Sequence, residues 1–259
     1  MNQSERRLFL IQYLQGERPS CQKQIIPSDP ERQRVLLRGL MNVRRPAAIG
    51  DDFLQVQDAY LRGETAAKGI ADAADLTPVR PGLYLWQGDI TTLKCDAIVN
   101  AANSGMTGCY IPNHRCIDNA IHTFAGVELR EYCEDMMERQ GCPEPTGQAK
   151  ITPAFNLPCR YILHTVGPIV SGRVTRQDRE LLASCYCSCL ELAAENGLES
   201  VAFCCISTGE FHFPNRLAAE TAVETVRDFL TKGTSIKKVI FNVFKDMDKA
   251  IYAELLGEN

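Results

Sequence analysis

The chain of 259 residues has little histidine, no long apolar run and no strongly basic stretch, and each shortage removes a class of function. No apolar run approaches the roughly 20 residues that a membrane helix needs. The first apolar stretch, Leu8 to Leu14, is short, ends in Gln15-Gly16-Glu17 and lacks a small-residue cleavage site, so no signal peptide is expected. Net charge is -4 and the positive charges are not clustered, which argues against non-specific binding to nucleic acid or to an anionic membrane. No internal repeat or low-complexity segment occurs. Only four histidines are present, His114, His122, His164 and His212, so each needs its own explanation.

Cysteine, in contrast, is abundant at twelve. The spacing is not that of a small secreted disulfide scaffold, and a chain this long has no need of one. Reduced thiols in a cytoplasmic protein are expected, some buried and some on metal. Hydrophobic residues at 45% and charged residues at 23% suit an ordinary globular body.

Residues 1 to 77 read as helices only. Leu8, Ile11 and Leu14 recur at helical spacing. Ser28-Asp29-Pro30-Glu31 suits a capping box, with proline early in the first turn, where its missing N–H costs nothing. The next helix places Val35, Leu36, Leu40 and Val43 on one face, and a third carries Phe53, Val56, Tyr60 and Leu61. From residue 78 to 259 the pattern changes. Short apolar runs at Leu83–Trp86, Ala97–Asn100, Tyr161–Val166, Val201–Ile206 and Lys238–Val243 suit strands buried on both faces. Amphipathic segments separate most of them: Ile117–Gln140, Gln177–Glu195, Pro214–Thr231 and, at the end, Asp246–Leu256. The alternation predicts an α/β sandwich with a largely parallel sheet. Such sheets bind ligands beyond the carboxyl ends of their strands.

The segments at those ends are Gln87-Gly88-Asp89-Ile90-Thr91, Asn100-Ala101-Ala102-Asn103-Ser104, and Ser207-Thr208-Gly209-Glu210-Phe211-His212-Phe213-Pro214 leading into a helix. Small residues at a strand-to-helix turn offer backbone N–H groups to a phosphate. With Asp118-Asn119-Ala120-Ile121-His122, Thr146-Gly147-Gln148-Ala149-Lys150 and His164-Thr165-Val166-Gly167-Pro168, they make the chain resemble the macrodomain family over roughly residues 80 to 256. The resemblance implies a three-layer α/β/α sandwich that binds ADP-ribose. It implies that Asp89 and the Ile90 amide meet adenine, that Asn103 holds the distal ribose, and that the backbone of Ser207, Thr208, Gly209, Glu210 and Phe211 cradles the pyrophosphate. Phe211 would lie against the distal ribose, and Phe244 is a candidate for stacking on adenine. Glu210 and His212 stand where many relatives carry a small or aliphatic residue and then glycine, and an acid beside a pyrophosphate is unfavourable unless its side chain points away, so Glu210 is expected to act through its backbone only.

The larger departure is Met106-Thr107-Gly108-Cys109-Tyr110-Ile111-Pro112-Asn113-His114-Arg115-Cys116, where relatives carry a glycine run. Cys109, His114 and Cys116 fall within eight residues. Two thiolates and an imidazole suit tetrahedral zinc, and three ligands leave the open position of a catalytic site; the same spacing also fits buried thiols beside a loop histidine. The resemblance to a zinc-dependent macrodomain subgroup points to Zn2+. Asp118, in the first turn of the next helix, suits a base that orients or deprotonates water, or a first-turn acid favoured by the helix dipole. The resemblance favours the former. His122 and His164 are expected to be satisfied structural histidines. The expected activity is zinc-dependent hydrolysis of ADP-ribose from mono-ADP-ribosylated protein, with Asn103 and Asp118 in the reaction. A non-catalytic ADP-ribose reader and an O-acetyl-ADP-ribose deacetylase are the alternatives.

Overall fold

The computed structural model describes residues 1–257. Three helices lead: α1 (Gln3–Gly16), α2 (Pro30–Val43) and α3 (Asp51–Lys68). Asp29 caps α2 by accepting a hydrogen bond from the Arg32 amide, with Pro30 in the first turn, so the cap is an aspartate and not the expected box on Ser28. The three helices close over a small core of Leu10, Ile11, Leu14, Leu37, Leu40 and Phe53. Val35 departs from its expected place: it is 57% exposed, while Leu37 and Met41 are buried. The region is also not purely helical. A short strand β1 (Ala71–Asp72) follows and pairs in parallel with β3 (Leu93–Lys94).

The remaining strands form one sheet: β2 (Leu83–Gln87), β4 (Ala97–Ala101), β5 (Ala149–Pro153), β6 (Tyr161–Thr165), β7 (Ser200–Phe203) and β8 (Lys238–Val243), in spatial order β2-β8-β7-β4-β6-β5. Every pairing is parallel except β5 with β6 at the edge. Sequence periodicity misses β5, because it is half-buried and begins among polar residues. The Ile117–Gln140 segment is two helices, α4 (Ile117–Ala125) and α5 (Val127–Gln140), divided at Gly126, whose φ of 107° excludes other residues without strain. Helices α6 (Arg176–Glu195), α7 (Asn215–Thr231) and α8 (Asp246–Leu256) pack in succession on one another. The chain moves one way across the sheet from β4 to β6 and the other way from β6 to β7 to β8. Right-handed crossovers then put α4 and α5 on one face and α6 and α7 on the other. No described helix is long and apolar enough to cross a membrane.

Candidate active site at the strand ends

Asp89 follows β2 and caps the short 3-10 turn Ile90–Thr92. Its Oδ1 accepts from the Thr91 amide at 3.0 Å and the Thr91 hydroxyl at 2.6 Å, and its Oδ2 pairs with Lys68 Nζ at 3.0 Å. Burial pushes this carboxyl up, but the Thr91 bonds and the Lys68 charge outweigh it and hold the group below its ordinary range. Lys68 ends α3, so the N-terminal helices supply a charge to this corner; its ammonium also sits 3.5 Å from the centre of the Phe124 ring. Ile90 is buried. Phe244, just past β8, is 76% exposed on the same side of the sheet end, and its carbonyl accepts from Gln87.

Asn103 and Asp118 are in direct contact. Asn103 Nδ2 donates to Asp118 Oδ2 at 3.2 Å and to the Gly108 carbonyl at 3.2 Å. Asp118 is buried in the first turn of α4, and Asn100 Nδ2, at the end of β4, donates to its Oδ1 at 2.8 Å. Burial raises the Asp118 carboxyl to about 6, opposed by the Asn100 bond, the Arg130 charge and the Asn103 bond. Behind Asn100 stands His164, whose Nδ1 accepts from the same amide at 3.1 Å while Nε2 meets Thr152 Oγ1 at 3.0 Å. An amide donates, so the geometry assigns the His164 proton to Nε2. His122 departs from the expected satisfied histidine. Both of its ring nitrogens are buried without a hydrogen-bond partner, and Nε2 stands 3.5 Å from Asp118 Oδ1. Burial, with His164 and Arg130 nearby, keeps that ring neutral. His122, Cys133 and His164 also converge in the core. Both His164 nitrogens are already bonded, so that cluster reads as structural.

The donor atoms of Cys109, His114 and Cys116 lie within 4.8 Å of one another, with Cys109 Sγ 3.6 Å from His114 Nδ1. Zinc binds thiolate at about 2.3 Å and imidazole at about 2.0 Å, so a donor set this compact fits one ion. Cys116 is the N-cap of α4 and accepts from the Asn119 amide at 3.4 Å. Burial pushes its thiol up to about 12, and a dication is the kind of charge that would offset this.

Sequence patterns did not reveal what holds this loop. Arg38 of α2 reaches it, donating to the His114 carbonyl at 3.0 Å and to Asn119 Oδ1 at 2.8 Å. Asn119 passes the support on, donating to the carbonyls of Cys109 and Ile111. Asn42 Oδ1 accepts from the Asn113 amide at 2.9 Å, which fixes a residue at a φ of 56°. Arg130 lies 4.2 Å from the centre of the Tyr110 ring and donates to the carbonyls of Cys109, Asn42 and Arg44. Helical periodicity marks Arg38 and Asn42 only as polar positions, since their partners are some 70 to 80 residues away in sequence.

After β7 the chain turns sharply. Ser207 has a φ of 64°, and its carbonyl accepts from the Phe213 amide, folding residues 207–213 into a compact loop before α7. A Cβ at position 167 would collide with Ser207 Oγ, which explains Gly167. The Thr208 amide donates back to the Cys205 carbonyl and the His212 amide to that of Gly209, whereas among the described residues the amides of Gly209, Glu210 and Phe211 donate to nothing. Three consecutive N–H groups without a protein acceptor are the kind of donor set that suits an anion. Phe211 is half-buried, and its carbonyl accepts from Val170. The Glu210 side chain leans toward the other loop: Oε1 is 3.5 Å from His114 Nε2, the nitrogen facing away from Cys109.

The mixed, largely parallel sheet with helices on both sides and its loops gathered at the strand ends defines a class, the macrodomain. The chain belongs to the Macro domain family, whose model matches residues 99–222. It is 58% identical over 261 residues to a Treponema medium protein named protein-ADP-ribose hydrolase, covering 99% of this chain and 100% of that one. A Staphylococcus aureus protein of the same name is 48% identical, with 97% and 95% covered. Among solved structures, a Trypanosoma brucei macrodomain in complex with ADP-ribose aligns with a TM-score of 0.67 at 29% identity, covering 89% of this chain and 97% of that one. A mutant Oceanobacillus iheyensis macrodomain with ADPR aligns with a TM-score of 0.64 at 38% identity, covering 70% and 96%.

Proposed function

We propose that this protein is a zinc-dependent hydrolase that removes ADP-ribose from mono-ADP-ribosylated protein side chains, joined through an ester to Asp or Glu. The observation that carries the reading is convergence. The buried Asp118 carboxylate, bonded to Asn103, follows two residues after Cys116 in a helix whose N-cap is that cysteine. Relatives sharing nearly the full length bear the name protein-ADP-ribose hydrolase. ADP-ribose would lie with adenine against Asp89 and Phe244 and its pyrophosphate on the Gly209–Phe211 amides. Its distal ribose would rest between Asn103 and the Cys109–Cys116 loop.

Cys109, His114 and Cys116 would hold the ion, with Glu210 orienting His114 through its second nitrogen. A zinc ion held there would supply Lewis acidity to a water, or to a ribose hydroxyl beside the anomeric carbon, moderated by two thiolates. Asn103 fixes the ribose by its amide, and Asn100 with His164 behind it keeps Asp118 aimed. Asp118 accepts the proton of the attacking water. A carboxylate ester is favoured because the departing carboxylate needs little assistance.

The test is single-turnover release of ADP-ribose from an ester-linked protein, with metal content measured on the same sample. About one zinc per chain is expected, lost in Cys109→Ala with Cys116→Ala. Asp118→Ala should slow release by about 10²–10⁴-fold while ADP-ribose still binds. His114→Ala should lower the rate far more than the affinity, because catalysis requires contacts stronger in the transition state. Retained zinc in the double cysteine variant, or equal losses of rate and affinity in His114→Ala, would reduce the loop to a structural role. Tight ADP-ribose binding without release from any linkage would favour the reader.

A further inference from the structure

On the outer side of the Cys109–Cys116 loop lies a second concavity, a cavity of about 270 Å³ between that loop and the N-terminal helices. Pro112 and Asn113 form one wall, and Val35, Leu36 and Leu40 of α2 form the floor. Its lining includes exposed apolar side chains: Val35 is 57% exposed and Ile25, in the segment between α1 and α2, is 95% exposed. Arg18 and Arg32 are among the lining residues, and among the described residues none of the lining is acidic. Nearby arginines are engaged, Arg34 with Glu31 and Glu64 and Arg44 with Glu17. Arg18 and Arg32 have no ion-pair partner among the described residues.

We infer that this groove seats the polypeptide of the modified protein, as an acidic segment carrying an apolar side chain close to the modified residue. The inference rests on the proposed activity. The bond to be cut joins the distal ribose to a protein, so the polypeptide must leave the site past the Cys109–Cys116 loop. Pro112 and Asn113 belong both to that loop and to the groove's lining, so the groove adjoins the loop that the polypeptide would pass. An ester-linked substrate is modified on Asp or Glu, and further acids beside it would meet the two unpaired guanidinium groups. The exposed Val35 and Ile25 would gain an apolar partner whose burial supplies affinity.

The experiment uses the full chain and three probes: an acidic peptide bearing one ester-linked ADP-ribose, the same peptide with lysines replacing its other acids, and free ADP-ribose. The variants are Val35→Asp and the double change Arg18→Glu with Arg32→Glu, all at lining positions. The wild type should favour the acidic peptide over the lysine peptide in KM. Each variant should raise KM for the acidic peptide by about tenfold, the loss typical of one central contact in a small interface. Its kcat and its affinity for free ADP-ribose should stay within about twofold. Equal KM for the two peptides, or unchanged KM in both variants, would overturn the groove assignment. So would a concentration-dependent dimer in ultracentrifugation that Val35→Asp abolishes, since the occupant would then be a second copy. If the wild type releases nothing, the hydrolase reading fails by itself; anisotropy of the labelled acidic peptide then judges the groove by the same tenfold difference in affinity.

Discussion

Asp89 and Glu210 are each acids whose neighbours decide their use. Asp89 spends Oδ1 on Thr91 and Oδ2 on Lys68. An adenine amino group would join an already ordered, ionised carboxylate, so little is lost in orienting it. Losing a charged hydrogen-bond partner costs about 1.5–3 kcal/mol, roughly a ten- to hundredfold fall in affinity. Calorimetry with ADP-ribose on Asp89→Ala is expected to show that fall, and unchanged affinity would take Asp89 out of the site. Glu210 is the contrary lesson. Its charge argued against a side-chain role beside a pyrophosphate, and the structure leaves its backbone N–H without a protein acceptor while its carboxylate lies 3.5 Å from His114 Nε2.

Among the elements, α2 does most to organise the site without belonging to the sandwich. Arg38 half-buries a guanidinium to hold the His114 carbonyl and Asn119, and that burial lowers its pKa. Arg38→Met keeps much of the stem and removes the donors, leaving Asn119 Oδ1 and the His114 carbonyl to solvent. Zinc retention against a chelator should fall by about tenfold or more, as is typical when groups that orient metal ligands are lost. ADP-ribose affinity should change less, because Arg38 makes no hydrogen bond to Asp89 or to the Gly209–Phe211 amides and acts on Asp89 only through its charge. A competition titration with a zinc-binding dye reads the first quantity and calorimetry the second. Intact zinc retention would mean that Asn42 and Arg130 alone hold the loop.

Across the whole molecule, two hydrophobic cores are joined by polar bonds. Asn42 bonds Thr123, Gln57 accepts from the Val127 amide, and Arg130 donates to carbonyls of Met41, Asn42 and Arg44. Val127 itself packs into the helical core. Breaking the junction would strand buried polar groups on both sides, at about 1–3 kcal/mol each. The two parts are therefore expected to unfold together. The single tryptophan, Trp86, lies in β2 and reports on the sandwich alone, whereas far-ultraviolet circular dichroism reports on all helices. Coincident urea transitions by the two probes are expected. A separate early loss of helicity would show that the N-terminal helices stand apart.

The amino-acid sequence by itself determined the sandwich. Runs such as Ala97–Asn100 and Lys238–Val243 are apolar on both faces because helices cover both sides of the sheet, and that requirement is written locally. It also marked the residues at the strand ends, since small residues at a strand-to-helix turn are a local signal. The edge strand β5 was not legible, because half-burial leaves no strong pattern, and neither was the break at Gly126 between α4 and α5. Only the tertiary structure decided that Arg38, Asn42 and Lys68 reach the strand ends, that Glu210 faces His114, and that Val35 lines an open groove. Each depends on contacts between segments tens of residues apart, and helical periodicity records which face of a helix is apolar, not what that face will meet.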